Sequence, residues 1–183
     1  MIFLIKILRL KLLKRFQFKK KKLRPTSSKV LGAIFSILGH RNLEGKIFLD
    51  LYAGTGAVGI KSLELGASQC FFVDINNKFL QNIKKKLEKY GFVDKGKFIR
   101  ANCENQLSKV NGSFDFIFVD PPYKEDPFEN IITQIVNGGL SNEKTVLILE
   151  HSSRQNIDKS IKIFNMQGQK EYGDSCISIF SRE

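Results

Sequence analysis

The chain of 183 residues is 42% hydrophobic and 26% charged, which suits one globular domain with a full core and excludes a disordered chain or two large domains. Three separated cysteines (Cys70, Cys103, Cys176) with no C-x-x-C pair, and two isolated histidines (His40, His151), exclude a disulfide scaffold, fit a reducing cytoplasm and offer no metal-ligand constellation. The net charge of +12 is localised, because residues 1–43 hold 12 of the 30 Lys and Arg and no acid, whereas residues 44–183 hold 18 of each sign.

A basic segment of this kind suits a polyanion, either nucleic acid or an anionic membrane. The opening run, residues 1–13, is interrupted by Lys6, Arg9 and Lys11 and is too short to span a bilayer; its charges are also misplaced for a signal peptide. Alternation in residues 8–12 and 16–19 predicts two short strands around Lys14 and Arg15, a basic β-hairpin. An amphipathic helix on a membrane surface is the other reading of the same residues. Residues 1–24 are therefore expected to form a basic arm, and residues 25–183 the folded domain.

From Arg24 onward, strands and helices alternate. Pro25 keeps Arg24 out of helix, and Thr26 or Ser27 caps a helix expected to reach residue 38. Strands are expected at residues 46–51, 69–74, 97–101, 114–119 and 145–149. Helices are expected at 58–65, 77–90 and 127–137, with a shorter one near 104–109. Two last strands, 161–166 and 175–180, are joined by a turn. The expected fold is α/β: a mostly parallel seven-stranded sheet with helices on both faces and an antiparallel last strand. Ligands of such sheets lie beyond the carboxyl ends of the strands.

The residues that follow the strands carry the chemistry. After the first come Asp50-Leu51-Tyr52-Ala53-Gly54-Thr55-Gly56, a glycine turn that lets backbone approach a ligand closely. Gly54 to Gly59 spells G-x-G-x-x-G, but the carboxylate of Asp50 would repel a pyrophosphate. An acid there favours S-adenosylmethionine, which presents an ammonium and a sulfonium instead. Asp74 ends the second strand, where an acid accepts hydrogen bonds from ribose hydroxyls. Asn102 follows the third and could pair with an adenine edge.

The fourth strand delivers Asp120-Pro121-Pro122-Tyr123. Methylating an exocyclic base amine needs fixed acceptors, because the nitrogen lone pair is delocalised into the ring. Asp120 and the Pro121 carbonyl could accept the two amine hydrogens and expose that lone pair, while Tyr123 stacks on the flipped base. The adjacent N1–H and N2–H donors of guanine suit one carboxylate better than the donor–acceptor edge of adenine.

With these motifs the chain resembles the Rossmann-like class I S-adenosylmethionine-dependent methyltransferases. The segment Leu23-Arg24-Pro25-Thr26-Ser27, before a helix containing Ala33-Ile34-Phe35, is similar to the bacterial family that methylates guanine N2 in 16S ribosomal RNA. Two departures stand out: Ser28-Lys29-Val30-Leu31-Gly32 replaces a charged family segment, and residues 1–22 replace its hairpin. The resemblance implies a cofactor pocket built from Asp50, Tyr52, Ala53, Gly54, Thr55, Gly56, Asp74, Ile75, Asn102, Cys103 and Asp120. It implies catalysis by Asp120, Pro121, Pro122 and Tyr123, without metal. RNA contacts are expected from Lys19, Lys20, Lys21, Lys22, Arg24, Thr26 and Tyr123, in a monomer acting on 16S rRNA, free or inside an assembling 30S particle. An N6-adenine DNA methyltransferase and a non-catalytic RNA-binding protein on the same fold are the alternatives.

Overall fold

The computed structural model describes residues 28–39, 43–122 and 127–182. The expected basic arm, Lys19–Lys22, Arg24, Thr26 and Tyr123 all lie outside the described residues.

Helix α1 (Ser28–Leu38) buries Val30, Ile34, Phe35 and Leu38, one face at helical spacing. Gly39, at φ 73°, ends it by returning its N–H to the Phe35 carbonyl. Phe35 packs on Phe48, which stacks on Phe116, so α1 is bonded by rings to the middle of the sheet. Strands β1 (Ile47–Leu51), β2 (Gln69–Asp74), β3 (Gly96–Arg100), β4 (Phe114–Val119) and β5 (Ser141–Ser152) pair in parallel. Helices α2 (Ala57–Glu64) and α3 (Asn77–Tyr90) join α1 on one face; α4 (Phe128–Asn137) covers the other.

Strand β6 (Ser160–Ile161), β7 (Phe164–Tyr172) and β8 (Ser175–Ser181) complete a sheet of order β3-β2-β1-β4-β5-β8-β7-β6. β8 runs antiparallel between β5 and β7. The chain moves outward from β1 to β3, then returns to β4 on the other side of β1. The switch point therefore opens between the carboxyl ends of β1 and β4, as the sequence leads one to expect.

Three details depart from the sequence reading. The sheet has eight strands rather than seven, because Lys162, at φ 57°, turns the chain sharply and splits the expected 161–166 strand into β6 and β7. β7 then continues through the polar residues 167–171, which are exposed and show no alternation, with a register shift between Met166 and Gly168. The short helix expected near 104–109 is only a 3-10 turn, Leu107–Lys109. The Gln134 side chain takes both partners of an α-turn there: its Oε1 accepts the Leu107 N–H and its Nε2 donates to the Cys103 carbonyl at 3.2 Å.

Candidate active site

The carboxyl ends of β1, β2, β4 and β5 each deliver an acid to one mouth. Asp50, near the exit of β1, is 2% exposed, and its Oδ2 accepts the Gly59 N–H at 2.9 Å. Gly56, which caps α2, has no side chain to satisfy the first-turn donors, so Asp50 does it from the neighbouring strand. Burial pushes the Asp50 carboxyl up to about 8; the Gly59 hydrogen bond opposes this and the Asp74 charge adds to it. Gly59 is where helix meets sheet most closely. A Cβ there would collide with the Phe72 ring and lie 2.6 Å from Cys70 Sγ and 2.9 Å from Asp50 Oδ2.

The turn after Asp50 is built from left-handed residues: Tyr52 at φ 60°, Gly54 at 52° and Gly56 at 74°. Glycine adopts this freely, but Tyr52 does so at a cost of about 1–2 kcal/mol. It is held by packing against the α4-side core, and its backbone N–H donates to the sulfur of buried Cys103. Ala53 donates to the Val73 carbonyl at 3.0 Å, tying the turn to β2. Lys86 Nζ reaches across from α3 to the Thr55 carbonyl at 2.8 Å.

Asp74 sits at the centre of this construction. Its Oδ2 accepts the Gly54 N–H at 2.9 Å and its Oδ1 the Asn76 N–H at 2.7 Å. Each oxygen keeps a lone pair for a further donor, so fixing the turn does not exhaust what the acid can accept. Ile75, beside it, is 62% exposed, a large apolar side chain at the rim. Asn102, expected at an adenine edge, accepts the Glu104 N–H on Oδ1 at 2.9 Å and so shapes the turn after β3. Burial pushes the Cys103 thiol up to about 12, so it is a neutral packing group.

Asp120 leaves β4 partly buried, followed by buried Pro121 and exposed Pro122. Its carboxyl is raised well above the ordinary range, first by desolvation, then by the charges of Glu150 and Asp50. Val119 pairs with Leu149 in parallel register, which sets Asp120 beside Glu150 at the exit of β5. Glu150 is 4% exposed and was missed by sequence reasoning. The signal that could have found it is the one shared by Asp50, Asp74 and Asp120, an acid closing an apolar strand run. His151 next to it serves the fold: Nδ1 donates to the Ser152 carbonyl at 2.9 Å, so Nε2 accepts from the Ser178 hydroxyl at 2.8 Å.

A glycine turn flanked by Asp50, Asp74, Asp120 and Glu150 is a poor seat for a phosphate and a good one for a cation. No group of three or more of its potential ligands could hold a metal among the described residues. The chemistry of these side chains fits a cationic ligand such as S-adenosylmethionine, which carries an ammonium and a sulfonium and no phosphate.

Comparison with known proteins identifies the family. The family model described as Conserved hypothetical protein 95 matches residues 8–181. The chain belongs to this family. Its relatives include the Bacillus subtilis protein named "Putative rRNA methyltransferase YlbH", 30% identical over 162 residues that make up 87% of this chain and 88% of that one. A ribosomal RNA small subunit methyltransferase D from Buchnera aphidicola is 28% identical over 74% of this chain and 69% of its own. Among solved structures, "Putative methyltransferase yhhF" from Escherichia coli superposes with a TM-score of 0.79, covering 89% of each chain at 21% identity, which speaks to the fold. The Conserved hypothetical protein 95 chain thus has the Rossmann-like fold of class I methyltransferases, with its acids at the strand exits where that fold binds ligands.

Proposed function

We propose that this member of the family transfers a methyl group from S-adenosylmethionine to the exocyclic N2 amine of a guanine in small-subunit ribosomal RNA, free or within an assembling particle. The observation that carries this reading is Asp120: a carboxylate at the exit of β4, ahead of two prolines, crowded by acids and with no cationic partner among the described residues. The names of the relatives support ribosomal RNA as the substrate class.

Bound in the acid-lined mouth, the cofactor supplies a methyl group on a sulfonium. Asp50, Asp74 and the turn at Gly54 to Gly56 hold its parts apart from the reacting nitrogen. A cation in the mouth also lowers the cost of ionising Asp120, which then accepts hydrogen bonds from guanine N1–H and one N2–H. The Pro121 carbonyl accepts the second N2–H, and Tyr123, outside the described residues, stacks on the flipped base. The Asp120 carboxylate would then take the proton that the amine gives up once the methyl group has passed to its nitrogen. Lys19–Lys22, Arg24 and Thr26 would hold RNA outside this mouth, contributing affinity and salt dependence without base choice.

Incubating the protein with tritium-labelled cofactor and small-subunit rRNA, naked or assembled, and digesting to nucleosides tests the reading. Label in N2-methylguanosine is expected. Label in N6-methyladenosine would overturn the base assignment, and no label in either substrate would overturn the reaction.

A further inference from the structure

Residues 44–183 are neutral as a whole, but the fold separates their charges. Residues 78–100 carry eight Lys or Arg and two carboxylates; the rest of 44–183 carries ten Lys or Arg and sixteen carboxylates. All eight basic residues of this stretch (Lys78, Lys84, Lys85, Lys86, Lys89, Lys95, Lys97, Arg100) are exposed. None pairs with a carboxylate among the described residues, where the ion pairs are Lys46–Asp115, Lys61–Glu64 and Lys162–Glu129.

Their placement is ordered. α3 buries Leu80, Ile83 and Leu87, and Lys78, Lys85 and Lys89 lie on the opposite side of the helix. Along the axis they stand about 10 Å and then about 6 Å apart, from the 1.5 Å rise per residue. Beside them β3 is the edge strand of the sheet and contributes Lys97 and Arg100. One end of this tract touches the site: α3 starts directly after Asp74, and Arg100 Nε donates to the Ile75 carbonyl at 3.3 Å. The other end lies about 20 Å away, one α3 length.

An ordinary solvated helix face mixes Glu with Lys at i, i+4 to offset repulsion, but here Lys85 and Lys89 occupy that spacing with like charge. The mouth itself poses the complementary problem. Acids that favour a cationic cofactor repel the phosphates of an RNA whose base must enter, so those phosphates need cations on the flank.

We propose that the outer face of α3 and the β3 edge form a backbone-binding surface for the RNA substrate, gripping the phosphates that flank the target base on the Ile75 side of the mouth. This rests on the reading of RNA as substrate, and it adds a surface inside the folded domain to the contacts expected of the basic arm. Because such contacts go to phosphates, they set affinity and register and carry no base choice.

The test is the triple variant Lys78→Gln, Lys85→Gln, Lys89→Gln, three exposed positions away from the cofactor groups. Binding of a small-subunit rRNA transcript is measured by filter retention across a salt series, alongside steady-state methyl transfer. Three lost phosphate contacts flatten the slope of log K against log salt by about two to three units. KM for RNA rises, while kcat, the cofactor dissociation constant and the labelled nucleoside stay as in the unmodified protein. A slope unchanged within error overturns the surface. So does unchanged RNA binding accompanied by lost retention on phosphatidylserine vesicles, which would make the face a membrane contact. The labelled nucleoside of the unmodified protein reports separately on the base assignment: adenosine label with a flattened slope would overturn that assignment and leave the surface standing.

Discussion

Strand β4 carries an aspartate near each end, and their surroundings are opposite. Asp115 accepts from Lys46 Nζ at 3.0 Å and from the Ile47 N–H at 2.9 Å, so it ties the entry of β4 to the entry of β1. Asp120 leaves the same strand among Asp50 and Glu150, which raise its carboxyl further after burial has already done so. An acid whose partner is built into the chain is spent on the fold. An acid surrounded by acids carries repulsion that a cationic ligand relieves, and that is the mark of a binding site.

The sharpest way to break this comparison is Asp120→Ala. Transfer should fall by at least about a hundredfold, the scale of losing one group that stabilises the transition state. Cofactor binding by calorimetry should stay nearly intact, and normal turnover would remove Asp120 from the mechanism. Asp74→Ala should act on binding instead, weakening the cofactor by about 1.5–3 kcal/mol, the scale of a hydrogen bond to a charged group. A dissociation constant equal to that of the unmodified protein would sink the ribose assignment.

Asp50 makes a pH-dependent prediction with two opposite signs. Its carboxyl is ordinarily near 3.8 and is pushed to about 8 in the folded chain, so between those values the folded state holds a proton that the unfolded state has released. Stability of the ligand-free protein therefore declines as pH rises from about 4 to about 8 and levels off above. Cofactor affinity runs the other way, rising by up to about tenfold per pH unit until about 8, because the cation binds the ionised form. Asp50→Asn should flatten both profiles and raise the melting temperature at pH 8 by about 2–4 °C per kcal/mol relieved. Profiles indistinguishable from the unmodified protein would show that Asp50 does not titrate in this range. The smallest effect is expected at the other end of β4. Asp115→Ala should cost about 1 kcal/mol of stability in denaturant titrations, with kcat unchanged at a permissive temperature. A loss of kcat like that of Asp120→Ala would erase the distinction between the two ends.

What could be read from the residues was whatever repeats a local signal. Apolar runs closed by Asp50, Asp74 and Asp120 marked the parallel strands and the acids at their carboxyl ends, and glycines at 54 and 56 marked the turn after the first. Glu150 escaped because His151-Ser152-Ser153 follows it with no motif, although it too is a buried acid closing an apolar run. Asn102 was read for the adenine edge alone, and its oxygen also bonds the backbone two residues on, a turn role that only coordinates reveal. β7 was cut short because residues 167–171 form an exposed strand with no buried face to impose alternation. The basic tract on α3 and β3 was hidden by averaging, since charge summed over a long stretch carries no information about which side of a helix it occupies.

The position of β8 has a consequence for how the chain is made. Residues 175–181 insert between β5 and β7, both synthesised before them, so half of the sheet cannot close while the polypeptide is still emerging. Until then β5 presents a bare edge whose side chains, Leu147 to Leu149, are fully buried in the finished protein. Such an edge is a template for pairing with any other strand, including one from a second nascent chain. A premature stop between Ser152 and Ser175 would leave that template permanently open. Truncated products should therefore appear in the insoluble fraction rather than as partly active enzyme, even though every acid at the mouth has already been translated.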